Sequence, residues 1–175
     1  MSRTVVLAAA ISLALAACSG KESTPVSEAQ KAPAQQPAEA STNPLLSAST
    51  LPFQAPQFDK IKDSDYAPAF EEGMRQHLAD VRKIADNAEP ATFDNTIVAM
   101  ERSGETLNRV SRIFFGLVQA DGTEARQKIQ EDIAPKLAAH QDEINLDPKL
   151  FARVKSLYDQ RDTLELDPVQ KRLVE

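Results

Sequence analysis

An all-α fold is predicted for the main part of the chain by three observations. Large apolar residues recur three or four positions apart over residues 66–84, 97–117 and 129–144, which places each set on one helical face. Two triplets, Leu146-Asp147-Pro148 and Leu166-Asp167-Pro168, have the form of helix starts, with Asp as cap and Pro in the first turn. No segment alternates apolar and polar residues as a half-buried strand does.

Residues 1–17 read as an address. Arg3 gives a short positive start, and Thr4 to Leu15 is almost wholly apolar but shorter than the ~20 residues of a membrane-spanning helix. The run ends Leu15-Ala16-Ala17-Cys18 and turns polar at once with Ser19-Gly20. That order resembles a bacterial lipoprotein signal, so Cys18 is predicted to be the lipid-attachment residue and the mature amino terminus. Lipidation would also account for the chain's single cysteine, since a free thiol is unusual in an exported protein. The expected location is the bacterial cell envelope, lipid-anchored to the membrane and facing the periplasm. Ser rather than Asp after the cysteine favours the outer membrane.

Residues 18–43 follow as the lipidated cysteine and a linker. Between Ser19 and Asn43 there is no aromatic residue, Val26 is the one large aliphatic, and Pro25, Pro33 and Pro37 interrupt any helix. Such a stretch buries too little apolar area to offset its ordering entropy and suits a spacer.

Residues 44–175 form the predicted folded region. Pro44, Pro52 and Pro56 are spread among Leu45, Leu46, Leu51, Phe53, Phe58 and Ile61, which predicts an extended apolar strap over helices. The first helix is expected to start at a cap among Asp63, Ser64 and Asp65, with Pro68 in its first turn. It continues through Tyr66, Phe70, Met74, Leu78, Val81 and Ile84 to a stop at Asn87–Pro90. The second is expected to begin at Asp94 or Asn95, with Phe93 as a staple residue. It runs through Ile97, Met100, Leu107, Val110, Phe114 and Leu117 to about Ala120, with Gly104 on its apolar face as a close approach or a weak point. Asp121-Gly122-Thr123-Glu124 offers an Asp-x-x-Glu capping box for the third. Ile129, Ile133, Leu137 and Ile144 make its stripe, with a kink at Pro135. Leu150, Phe151, Val154, Leu157 and Tyr158 follow the first Asp-Pro start. The chain stops at Glu175 within the next helix, without a cap or glycine, as a truncated helical region would.

Composition excludes several functions. With 20 basic and 26 acidic residues the net charge is −6, which disfavours nucleic acid as a partner. One cysteine rules out an internal disulfide or a paired-cysteine metal site, and five glycines leave little for a phosphate-cradling loop. Two histidines, His77 and His140, restrict metal and acid–base chemistry, and neither begins His-Glu-x-x-His. His140 and Glu143 have the spacing of some helical metal pairs, but one pair without a second is more often a solvated face. Glu71-Glu72, Glu131-Asp132 and Asp142-Glu143 read as solvated charge runs. Ser103-Gly104 lacks the Gly-x-Ser-x-Gly frame of a nucleophile elbow. Arg109 and Arg112, beside Phe114 and Phe115, suit a substrate carboxylate, although arginines lying along a surface are the commoner pattern.

Several stretches together are familiar. Asn43-Pro44-Leu45-Leu46, Leu51-Pro52-Phe53, Pro56-Gln57-Phe58-Asp59-Lys60-Ile61 and Tyr66-x-Pro68-Ala69-Phe70-x-x-Gly73-Met74 open the series. Phe93-Asp94-Asn95-Thr96-Ile97, Ser103-Gly104-Glu105-x-Leu107, Phe114-Phe115, Leu150-Phe151-x-Arg153-Val154 and Arg172-Leu173-Val174-Glu175 continue it. In order and spacing the region from Asn43 to Glu175 resembles the amino-terminal portion of the bacterial peptidyl-dipeptidases, of the thimet-oligopeptidase-like zinc metallopeptidase family. The resemblance implies a large, two-lobed helical enzyme with a deep channel, a zinc ion on a His-Glu-x-x-His helix plus a downstream Glu, and short peptides as substrates and partners. Such an enzyme releases carboxy-terminal dipeptides and is expected to be a monomer. No catalytic and no metal residue carries over to this chain, which lacks His-Glu-x-x-His and is predicted to bind no zinc and to be inactive alone. Its part would be a non-catalytic wall of the channel. The alternative is a non-enzymatic helical envelope lipoprotein that binds a peptide or protein partner.

Overall fold

The computed structural model describes residues 43–175, so the predicted leader, Cys18 and nearly all of the linker lie outside the described residues. The described region is all-α: no strand occurs among its residues, and none of its helices is long and apolar enough to cross a membrane. The helices are α1 (Asp63–Ala85), α2 (Ala99–Arg102), α3 (Glu105–Ala120), α4 (Glu124–Asn145), α5 (Pro148–Gln160) and α6 (Pro168–Val174). A 3₁₀ turn, Pro52–Gln54, precedes α1, and a π-helical turn, Phe93–Val98, leads into α2.

The central element is α1, which touches α2, α3, α4 and α5. Its predicted stripe is its buried face: Tyr66, Phe70, Val81 and Ile84 are buried, and Met74 and Leu78 are partly so. Two apolar clusters form along it. One gathers Leu45, Tyr66, Phe70, Leu107, Val110, Phe114 and Ile133. The other gathers Val81, Ile84, Ala85, Ile144 and Leu150. In the first, Phe114 lies 4.8 Å from Tyr66 and 5.4 Å from Phe70 between ring centroids, the latter pair edge-on at 88°. That geometry sets positive ring edge against negative face, which adds to simple burial.

Helix starts differ from expectation in instructive ways. None of Asp63, Ser64 and Asp65 is the cap of α1. Lys62 is, and the Asp65 carboxylate reaches back to accept from the Lys62 backbone N–H at 2.8 Å. The acid works from the third position instead of the first, and Pro68 falls in the second turn, where its missing N–H leaves one rung of the helix unmade. At α4 the capping side chain is Thr123, accepting from the Arg126 N–H at 3.3 Å. Asp121 instead accepts from the Arg126 guanidinium at 2.7 Å, where a full charge is a stronger donor than an amide. Pro135 does not divide α4. Both Asp-Pro starts are as predicted: Asp147 accepts from Lys149 and Leu150, and Asp167 from Val169 and Gln170.

The predicted second helix is two. Thr92 caps the π turn, accepting from the Asn95 N–H, and the chain then breaks at Ser103-Gly104 before α3. Gly104 sits at φ 68°, in the left-handed region that favours glycine. A Cβ there would lie 2.8 Å from the His77 ring. Gly73 marks a second close approach, since a Cβ on it would meet the Leu107 backbone at 3.0 Å.

The strap is only half a strap. Leu45 is buried and Leu46 and Ile61 pack on the first cluster, but Leu51, Phe53 and Phe58 are exposed. Phe53 is 103% exposed, and with Gln54 it holds positive φ (59° and 55°), a conformation that costs about 1–2 kcal/mol per non-glycine residue. Phe151 and Tyr158 of α5 are exposed likewise, while Arg153, unremarked by its charge, is buried. Its guanidinium donates to the carbonyls of Asn87 (2.8 Å) and Glu89 (2.9 Å) and to Asn95 Oδ1 (2.8 Å). Arg153 thereby ties α5 to the α1–π-turn connection.

These packings set two stability expectations. Phe114→Ala should cost about 3–5 kcal/mol, since a fully buried ring leaves a cavity, whereas Phe53→Ala should change stability by less than ~0.5 kcal/mol. Gly104→Ala should destabilise by about 1 kcal/mol or more, from left-handed strain and the His77 contact together. Urea unfolding followed by circular dichroism measures all three, and an inverted order between Phe114→Ala and Phe53→Ala would refute the assigned core.

Candidate functional site

His77 and His140, far apart in sequence, meet. His77 lies on α1 between the two apolar clusters, and His140 occupies the corresponding place on α4. His140 Nε2 and His77 Nδ1 are 3.0 Å apart, so one nitrogen donates its hydrogen to the other. His140 is buried, and the Gly104 backbone presses on the His77 ring. Burial holds both imidazoles below the usual histidine range. At His77 the neighbouring His140 adds to this and Asp80 opposes it; at His140 Glu143 opposes it. Glu143 is itself bound to Arg82 at 3.0 Å.

The pair is unsuited to zinc. The two nitrogens that face one another are spent on their mutual hydrogen bond. Among the described residues no group of three or more His, Cys, Asp or Glu side chains is placed to hold a metal ion. A catalytic zinc takes about three protein ligands, so the residues present do not fit that ion. The solvated face expected for His140 and Glu143 does not hold for His140, which is buried in contact with His77 across helices.

The charge runs are surface ion pairs. Arg75 and Gln76 donate to Glu72, and the Arg75 bonds foremost bring its pKa down to about 2. Glu71 pairs with Lys136 of α4 at 2.6 Å, and Asp132 with Lys128 at 2.6 Å. The Ser103 hydroxyl donates to the Met100 carbonyl at 2.6 Å, closing the end of α2.

The two arginines of α3 separate. Arg109 is structural: its Nε donates to the Leu45 carbonyl at 3.2 Å, holding the strap, and Glu105 lies 3.8 Å away. Arg112, one turn on, is exposed and has no acidic partner among the described residues. It stands where two grooves meet. One, of about 560 Å³, runs between Pro56, Phe58 and Ile61 of the strap and Ile113, Gly116, Leu117 and Ala120 of α3. Asp63, Tyr66 and Arg126 complete its lining, and the buried Tyr66 hydroxyl has no hydrogen-bond partner among the described residues. The other, of about 660 Å³, is more polar, lined by Phe53, Gln54, Glu101, Arg102, Ser103, Glu105, Asn108 and Arg109. Both include Pro56, Arg112 and Ile113. Sequence reasoning named Arg112 but could not distinguish it from Arg109, because only the fold decides which faces the strap carbonyl.

The histidines fix a pH dependence. In the unfolded chain both titrate near 6.5, and in the folded chain below it. The unfolded chain therefore binds more protons as pH falls below about 6.5. The stability linked to the pair is complete above that pH and is lost as pH falls through the lowered folded values. Between about pH 7 and about pH 5.5 the urea midpoint should fall more for the natural chain than for the His77→Gln/His140→Gln double variant. Equal falls would refute the coupling.

No family model matches the chain. Over 135 residues it is 44% identical to a dipeptidyl carboxypeptidase of Salmonella typhimurium (strain LT2), covering 77% of this chain and 20% of that protein. Over 133 residues it is 44% identical to a dipeptidyl carboxypeptidase of Escherichia coli (strain K12), covering 76% and 20%. The chain spans about a fifth of the length of the curated relatives it matches. Over that stretch it is a relative of the bacterial dipeptidyl carboxypeptidases.

Proposed function

We propose that this chain is part of a zinc peptidyl-dipeptidase that releases dipeptides from the carboxyl end of short peptides, and that residues 44–175 form a non-catalytic helical wall beside its substrate channel. The observation that carries the reading is 44% identity over 135 residues to proteins named for dipeptidyl carboxypeptidase activity. A fifth of such a protein need not hold its chemistry. Two features of this region support the assignment to a wall: many of its charges are held in surface ion pairs, and its two histidines bond to each other. Zinc, in this reading, is held by the part of a protein of the relatives' length that lies outside this stretch. We further propose, from the Leu15-Ala16-Ala17-Cys18 order, that Cys18 carries acyl chains and anchors the protein to the envelope membrane, facing the periplasm.

The test compares the 175-residue chain with a gene product of the relatives' length on a blocked short peptide. The chain alone should give no turnover with or without zinc. The longer protein should release carboxy-terminal dipeptides and lose activity to a chelator. Zinc-dependent turnover by the chain alone, abolished by His77→Ala, would overturn the assignment to a wall. Mass spectrometry of the membrane fraction should find acyl chains on Cys18, and an unmodified thiol there would overturn the anchor.

A further inference from the structure

We propose that the paired grooves around Arg112 bind the carboxyl end of a peptide whose last residue is bulky and apolar. The inference takes from the peptidase reading only that the ligand is a peptide; the rest comes from the lining. The groove between Phe58 and Leu117 is walled by apolar side chains and open to solvent, and it is large enough for an aromatic or branched side chain. Phe58 is exposed on its rim, an apolar surface left for a ligand to cover. The adjoining groove offers Asn108, Ser103 and the Glu105 carboxylate, groups that can exchange hydrogen bonds with a peptide main chain. Arg112 stands where the two meet.

Charge selects the carboxylate. The chain as a whole carries −6, yet Arg112 and Arg102 on these grooves have no acidic partner among the described residues, while the neighbouring Arg109 and Arg126 are bound to other groups. A guanidinium presents a planar fork that matches a carboxylate with two parallel hydrogen bonds. In a carboxy-terminal residue the carboxylate and the side chain leave the same Cα. One residue can therefore place its acid on Arg112 and its side chain in the apolar groove, with the preceding main chain along the polar groove. An acidic side chain within a peptide does not combine the two in one residue.

The experiment titrates the full 175-residue chain with acetyl-Leu-Phe, its carboxy-terminal amide and decanoate, following ¹H–¹⁵N shifts and the Arg112 Nε–H signal. The acid should bind with a dissociation constant of the order of 1 mM, shifting residues 112–117, and the amide about tenfold more weakly. Arg112→Ala should weaken the acid about tenfold and abolish its preference over the amide. Arg112→Lys should retain part of that preference, and Phe58→Ala should weaken acid and amide alike. Arg161→Ala, at the end of α5, should change nothing. Arg112 is exposed, and unaltered circular dichroism checks that its variants fold. Absence of binding, equal affinity for acid and amide, or an Arg112→Ala chain that still prefers the acid would overturn the proposal. Tighter binding of decanoate than of the peptide would also overturn it, in favour of a lipid acid. This binding is read on the chain without turnover, so it and the hydrolysis by the longer protein fail separately.

Discussion

The structure depends on how closely α1 lets the chain approach it. At Gly73 the Leu107 backbone of α3 comes within 3.0 Å of where a Cβ would stand, and at Gly104 the His77 ring comes within 2.8 Å. Two contacts without side-chain spacers fix the distance between α1 and the α2–α3 corner. That distance determines how Phe114 reaches Tyr66 and Phe70 and so how the first apolar cluster closes. Interiors are close-packed, so a shift of even a methyl group at such a point propagates along both helices.

Polar groups make the joints between the apolar clusters. The His77–His140 pair bridges α1 and α4 at the level where neither cluster continues. Arg153, buried and with no acidic partner among the described residues, is satisfied by two carbonyls and Asn95 Oδ1, though its Nε is left without a bond. Asn95 Oδ1 also accepts from Thr92 N–H and Thr96 Oγ1, so one side-chain oxygen gathers three donors. Removing a partner from such a buried group leaves a desolvated donor or acceptor, which costs more than a surface bond contributes. These joints are specific in a way apolar contact is not, because hydrogen bonds require direction as well as proximity.

The helical region separates two duties among like residues. Arg109 and Arg112 lie one turn apart on α3, yet one secures the Leu45 carbonyl of the strap and the other opens onto the grooves. The strap divides in the same way: Leu45 anchors it, while Phe53 and Phe58 stand exposed along groove rims. Anchoring by Arg109, Leu45, Leu46 and Ile61 leaves Leu51, Phe53 and Phe58 of the strap exposed within the described residues. That surface lies beside the Arg112 guanidinium, which has no acidic partner among the described residues.

The sequence by itself determined the all-α class, the buried stripe of α1, the two Asp-Pro helix starts and the resemblance to peptidyl-dipeptidases. All of these rest on short-range signals: a period near 3.6, a cap next to its amide, and residues in a fixed order. Only the tertiary structure decided the rest. It buried His140 against His77 where a solvated face was expected, buried Arg153, exposed Phe53, Phe151 and Tyr158, and moved the cap of α4 from Asp121 to Thr123. It also broke the predicted second helix at Gly104, whose place on the apolar face had argued equally for close packing and for weakness. In each case the deciding partner is either remote in the chain or one of several local candidates of equal chemistry. Periodicity tells which residues share a helical face, but the face that another helix covers is set by how the helices pack together, and no local pattern encodes that.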